Sequence, residues 1–250
     1  MNERAISPGS RPAGATDERA AAVAVQEMFD NIAPRYDLLN HLLSCNVDRW
    51  WWWRTARRFR GVLRRPEAAV LDICCGTGDM TLALLRHRST DARPMLAADF
   101  SHAMLMRGVE KFGNRNVIAM EADALHLPLA SNSLDLVTSA FGFRNLANYG
   151  AGLRELHRVL RTGGELGILD FSEPGGALSK LYGWYFHRVL PAIGSRVSGM
   201  GGAYSYLPSS VERFLRPPQM LELMREAGFT QASWTPYSFG IAGLYRGVKA

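Results

Sequence analysis

Residues 70–81 read Val70-Leu71-Asp72-Ile73-Cys74-Cys75-Gly76-Thr77-Gly78-Asp79-Met80-Thr81, and the reading of this stretch decides the fold. The opening residues suit a buried strand, and a helix is expected over residues 79–87. Between them, Gly76 and Gly78 lack the Cβ that would block close backbone approach to a ligand or forbid positive φ. A strand that runs through a glycine turn into a helix holds nucleotide-like ligands, with Asp72, Gly76, Thr77 and Gly78 as its candidate binding residues. A dinucleotide fingerprint would place a third glycine where Thr81 stands and leave the helix N-terminus free for a pyrophosphate. Asp79 instead puts a carboxylate in the first helical turn, which repels an anion and tolerates a cationic ligand.

Working outward, a second strand over residues 95–100 closes on Asp99 just before Ser101, a helix cap. A carboxylate at that strand end can accept hydrogen bonds from both hydroxyls of a ribose. A third strand over residues 116–121 leads to Asp123 and Ala124, where Asp123 can accept from an adenine amino group. Singly, each acid could just as well cap a helix; three at successive strand ends favour the ligand. The fourth strand, residues 134–140, delivers residues 141–145 to the carboxyl edge, where open α/β sheets bind their ligands. An amphipathic helix over residues 152–160 is expected to stop at Gly163 and Gly164, before a fifth strand over residues 165–170. Late strands over residues 229–234 and 244–248 complete an α/β fold: a mostly parallel seven-stranded sheet with helices on both faces. The motif order matches the Rossmann-like class I S-adenosylmethionine-dependent methyltransferases, whose cationic cofactor suits the carboxylate at Asp79.

Three blocks carry a narrower resemblance. They are residues 36–40 (Tyr36, Asp37, Leu38, Leu39, Asn40) through Ser44 and Trp51; residues 141–145; and residues 158–164 through Asp170 and Ser172. Residues 204–207 with Ser210 add a fourth. On these blocks the chain resembles the ubiquinone/menaquinone C-methyltransferase family, its UbiE-like branch, over nearly everything after the first twenty or so residues. The family usually carries Lys-Pro where Arg161 and Thr162 stand, Glu at Asp170, two glycines at Cys74 and Cys75, and often Ser at Ala140. The resemblance implies S-adenosylmethionine-dependent C-methylation of a polyprenylated quinol, with demethylmenaquinol, a methoxy-polyprenyl-benzoquinol or both as acceptor.

Methyl transfer from a sulfonium is an in-line displacement, so such an enzyme mainly aligns donor and acceptor and excludes water. A hydroquinone carbon becomes nucleophilic once a ring hydroxyl loses its proton, which a phenol of pKa about 10 holds at neutral pH. A base, or a cation that stabilises the phenolate, is required. Arg144 is the first choice for that cation, Asn145 can orient the same oxygen, and Tyr36, Asp37 and His126 are candidate proton acceptors. No metal is expected, because residues 141–144 supply no carboxylates for a hard divalent cation and three cysteines match no zinc spacing.

At 250 residues and 47% hydrophobic, the chain fits one elaborated domain over residues 21–250 behind a disordered tail at residues 1–20. A helical lid is expected over residues 21–65 and a helical insertion for a greasy substrate or a bilayer over residues 174–215. No signal peptide or membrane-spanning run is evident, which points to a cytoplasmic protein in a reducing compartment, peripheral to the membrane. The formal charge of +6 implies an anionic neighbour, either a membrane surface or nucleic acid. Trp50, Trp51, Trp52 and Trp53, followed by Arg54, Arg57, Arg58 and Arg60, form either an interfacial patch or lid packing, the latter favoured. No RNA-binding module is legible, so no nucleic-acid partner is expected; RNA methylation and a non-catalytic scaffold stand as the rival readings, and self-association is open.

Overall fold

The computed structural model describes residues 9–12, 14–33, 46–172 and 209–250. Tyr36, Asp37, residues 204–207 and most of the expected insertion lie outside these. The helices are α1 (Glu18–Ile32), α2 (Val47–Arg58), α3 (Arg60–Leu63), α4 (Asp79–Leu85), α5 (His102–Phe112), α6 (Tyr149–Val159) and α7 (Pro217–Glu226). The strands are β1 (Val70–Ile73), β2 (Met95–Asp99), β3 (Val117–Glu121), β4 (Leu134–Ala140), β5 (Leu160–Phe171), β6 (Phe229–Tyr237) and β7 (Ala242–Lys249).

They form one sheet in the order β3-β2-β1-β4-β5-β7-β6. Strands β1 to β5 pair in parallel, while β7 runs antiparallel to both β5 and β6. Every residue of β1 and all of β4 but its last is buried, as expected of central strands covered on both faces. On one face Leu71, Val137 and Ile168 meet Leu153, Leu156, Met220 and Met224 of α6 and α7. On the other, Val70, Leu136 and Leu169 meet Trp51, Trp52, Phe59, Leu63, Met80 and Leu84 of α2 to α4 and their junction. Strand order reverses between β1 and β4, and the crevice beyond their carboxyl ends is where such sheets place ligands.

Two expectations need correction. Gly163 and Gly164 do not stop the helix: α6 ends at Val159, and the chain enters β5 directly at Leu160 (φ −67°, ψ 142°). Leu160 is fully buried, so packing draws the backbone into the sheet before the glycines are reached. The glycines instead fill a bulge, where pairing with β4 jumps from Leu134 opposite Leu160 to Leu136 opposite Glu165. The tail boundary also shifts. Ser10 N donates to Leu146 O at 2.8 Å and Arg11 Nη1 to Ala147 O at 2.7 Å, and α1 already begins at Glu18, capped by the Asp17 side chain. The Trp50–Trp53 run divides: Trp51 and Trp52 pack in the core, while Trp50 and Trp53 are each 42% exposed.

Candidate active site

Beyond the carboxyl ends of β1, β2 and β4 lies a cavity lined by the loops that follow them. The turn after β1 is shaped by backbone that only particular residues hold. Gly78 has φ +87°, and a Cβ there would stand 2.2 Å from the Phe112 ring; Gly142, after β4, would drive its Cβ to 2.3 Å from that of Cys74. Cys74 (φ +53°) and Phe141 (φ +59°) also take left-handed backbone, although neither is glycine. Two neighbouring strand ends thus carry strained residues at one crevice, a pattern typical of functional sites.

Of the expected cofactor residues, Gly76, Thr77, Asp99, Asp123 and Ala124 line the cavity; Asp72 and Gly78 do not. Asp99 Oδ2 accepts from Gly76 N at 2.7 Å and Oδ1 from Ser101 N at 2.9 Å, which fixes the carboxylate at the rim. Burial pushes its pKa up to about 6 against the pull of those donors. Asp123 Oδ1 accepts from Leu125 N at 2.9 Å. Asp72 sits behind the turn, fully buried, accepting from the Thr81 hydroxyl at 2.6 Å and the Thr138 hydroxyl at 2.8 Å. It ties β1 to α4 and β4, and burial pushes its pKa up to about 7. The position that lacks the third glycine therefore carries a strut to the strand. Asp79 is not an unopposed charge either: Lys111 Nζ, from α5, lies 3.2 Å from its Oδ1 and donates to Thr77 Oγ1 at 3.0 Å. Burial and the neighbouring Asp99 and Asp72 charges push the Cys75 thiol up, leaving it a packing residue.

On the acceptor side the structure separates two expected neighbours. Asn145 lines the cavity; Arg144, only 5% exposed, does not. Arg144 Nη1 donates to Asp170 Oδ1 at 2.9 Å and to Phe141 O, Nε donates to Ser210 Oγ at 3.3 Å, and Arg144 N donates to Asp170 Oδ2 at 3.0 Å. Burial raises the Asp170 pKa and Arg144 holds it down. Arg144 is thus the tie that fastens the 141–145 loop to β5. His126 is exposed beside Asp123, its Nδ1 3.3 Å from Oδ2.

Sequence reasoning set a lid over residues 21–65, with the tryptophan run packed in it, and residues 141–145 at the carboxyl edge, but it singled out none of the α1 side chains of the far wall. Val25, Gln26 and Phe29 of α1, Trp52 of α2, and Phe141 line the cavity. Gln26 Nε2 donates to Phe100 O at 2.9 Å, and Asp30 accepts from the Ser101 hydroxyl, so α1 docks over the β2–α5 connection. The signal was there in part, since α1 is amphipathic, but where it docks depends on contacts more than seventy residues away. The residues fit an adenosyl group: a turn whose crowding leaves no room for side chains, a fixed carboxylate for a diol, and an apolar wall for the ring.

Comparison with known proteins agrees. Residues 15–249 match the model of the ubiE/COQ5 methyltransferase family. The chain belongs to this family. Methyl transfer is its class of reaction, and S-adenosylmethionine its methyl donor. Among relatives of the family, a demethylmenaquinone methyltransferase of Deinococcus radiodurans is 43% identical over 93% of this chain and 95% of its own length. One from Thermus thermophilus is 44% identical over 89% of this chain and 100% of its own. A ubiquinone/menaquinone biosynthesis C-methyltransferase UbiE of Geotalea daltonii is 40% identical over 90% and 96%. Solved structures share the fold at lower identity. The [4+2]-cyclase SpnF aligns with a TM-score of 0.67 at 16% identity, covering 97% of this chain and 99% of that one. An S-adenosylmethionine-dependent methyltransferase from Thermotoga maritima reaches 0.59 at 18%, over 90% and 100%. A cyclase and a methyltransferase on one fold show that the fold alone does not choose the reaction.

Proposed function

We propose that this protein methylates a ring carbon of a polyprenylated quinol, with demethylmenaquinol as the acceptor and a methoxy-polyprenyl-benzoquinol as the alternative acceptor. The observation that carries the reading is the cavity wall from residues 140–147, in which Asn145 is the one polar side chain among Ala140, Phe141, Gly142, Leu146 and Ala147. Such a wall takes a flat apolar ring and addresses one oxygen on it. One group of relatives is named for demethylmenaquinone and another for ubiquinone/menaquinone biosynthesis, so a menaquinone-type ring is common to both titles and supports this reading.

The bound cofactor supplies an electrophilic methyl group on a sulfonium. Asp99 and the Gly76 turn hold its nucleoside, and Asp123 orients the adenine. Asn145 donates its amide N–H to the quinol oxygen and favours the phenolate, whose charge makes the neighbouring carbon nucleophilic. Arg144 works one step back, holding Phe141 by its carbonyl and anchoring the 141–145 loop, Asn145 included, to β5 through Asp170. Tyr36 and Asp37, both outside the described residues, stand with His126 as the candidate proton acceptors.

Among the described residues no helix is long and apolar enough to cross a membrane. An acceptor with a polyprenyl tail stays in a bilayer, so the enzyme works as a peripheral protein at the cytoplasmic membrane face. The test is transfer of labelled methyl from S-adenosylmethionine to each reduced quinol by wild type and Asn145→Leu. Turnover of demethylmenaquinol that falls about 100-fold in the variant, with cofactor affinity kept, is the expected result. Cofactor binding without turnover of either quinol would point to a scaffold, and methylation of tRNA to the RNA reading.

A further inference from the structure

The charge of this molecule is concentrated. Between residues 47 and 65 stand seven arginines and one acid, Asp48, so this segment alone carries the +6 that is the formal charge of the whole chain. Asp48 is buried, whereas Arg49, Arg54, Arg57, Arg58, Arg60, Arg64 and Arg65 are all exposed. Past Val47 at its start, the face that α2 turns to solvent is therefore basic and aromatic. Along it the guanidiniums lie on the indoles: Arg54 Cζ is 5.1 Å from the Trp50 ring centroid and Arg57 Cζ 5.3 Å from that of Trp53.

The face continues past α3 into a groove lined by Arg60, Arg64, Arg86, His87, Arg88 and Ser89. Two features mark that groove as short of an anion. Arg88 Nη1 is buried with no hydrogen-bond partner among the described residues. His87 is held below its ordinary pKa, by burial first and then by Arg60, Arg64, Arg57 and Arg86. The inner side of the same helix belongs to the active site: Trp52 lines the cofactor cavity, and Trp51 lies 5.7 Å from the Phe141 ring.

We propose that the outer face of α2, with α3 and the groove at Arg86–Ser89, docks on the surface of a bilayer containing anionic phospholipids. Phosphate headgroups pair with the arginines, and Trp50 and Trp53 enter the headgroup layer, where amphipathic rings partition. Free phosphate or RNA would meet the same arginines. The half-exposed tryptophans favour the bilayer, because they stand one helical turn apart within the basic face, under Arg54 and Arg57, and gain from an interface rather than from bulk water. Docking there would set the mouth of the cavity beside the acceptor's lipid home, so the inference rests on the proposed quinol substrate for its purpose but not for its test.

The test is sedimentation of the full chain with phosphatidylcholine vesicles, with and without phosphatidylglycerol, in the absence of quinol. Binding should need the anionic lipid and weaken with salt. Since each arginine near such a surface contributes roughly fivefold, Arg57→Gln, Arg60→Gln and Arg64→Gln combined should weaken it about 100-fold. Trp50→Ser with Trp53→Ser should weaken it while the phosphatidylglycerol dependence remains. All five side chains are exposed, and unchanged thermal unfolding confirms that the variants fold. Equal binding to both vesicles, or undiminished binding by the arginine variant, overturns the proposal. So does release from vesicles by inorganic phosphate at matched phosphate concentration, which marks a small-anion site, or tRNA binding lost in the same variants without vesicle binding. Vesicle binding as expected from a protein that methylates neither quinol would instead refute the substrate and leave the docking face standing.

Discussion

At the scale of single residues, three acids at the sheet's carboxyl edge do three different jobs. Asp99 faces the cavity as a hydrogen-bond acceptor with a pKa of about 6. Asp99→Ala should weaken S-adenosylmethionine binding about 10- to 100-fold, the range for a hydrogen bond to a charged group, as titration calorimetry would show. In the wild type the same affinity should fall as pH drops through about 6, because protonation removes the acceptor charge. Asp72 never meets the ligand, and its raised pKa is a statement about stability. Its folded form holds a proton at pH values where the unfolded chain has lost it, so its contribution is full below about pH 4 and disappears as pH rises through about 7. A shift of that size is worth up to about 4 kcal/mol, reduced where neighbours relax. Urea unfolding at the two ends of that window should show a decline in the wild type that is flatter in Asp72→Asn. Asp170 is the partner of a buried cation. Removing Arg144 leaves it uncompensated, so Arg144→Ala should lose about 3–5 kcal/mol of stability, and chemical denaturation must accompany any activity assay on that variant. The double variant Arg144→Met with Asp170→Leu should regain most of that stability and still methylate poorly, because the 141–145 loop has lost its tie to β5.

Among elements, the turn from β1 into α4 depends on its neighbour α5. Gly78 caps α4 in left-handed backbone with Phe112 against it. Gly78→Ala therefore suffers twice, from φ +87° and from a Cβ 2.2 Å from an aromatic ring, and should lose about 2–3 kcal/mol together with cofactor binding. Thermal unfolding and calorimetry on one preparation would show both; a variant with wild-type stability would mean the ring moves aside freely. The same pairing explains Lys111, which stands on α5 and neutralises Asp79 on α4. The first turn of α4 is thus electrically milder than its own sequence implies. Helix α2 is two-sided in the same sense: its buried tryptophans reach the active-site loop and its exposed ones the solvent.

Over the whole molecule, β7 closes the sheet by inserting between β5 and β6 in the opposite direction. Strand β6 pairs with β7 alone, and β5 would become an edge without it. Deleting residues 242–250 should abolish the cooperative thermal transition and send the protein to the insoluble fraction, since a long apolar edge would be left unpaired. How much was legible before folding follows from where each signal resides. The glycine turn, the acids at strand ends and the alternation of strands with helices are local: one side chain's size, one backbone angle or a short period sets each. They determined the parallel α/β architecture, the cavity at its carboxyl edge and the placing of Gly76, Asp99 and Asp123 there. The tertiary structure alone decided which of two adjacent residues, Arg144 or Asn145, faces the cavity, and that Asp72 is a strut rather than a ligand. It also decided that Gly163 and Gly164 belong to a strand, that Lys111 offsets Asp79, and which tryptophans stay in solvent. Each of those depends on a partner brought in from far along the chain, and burial and pairing at such distances leave no mark on the local pattern.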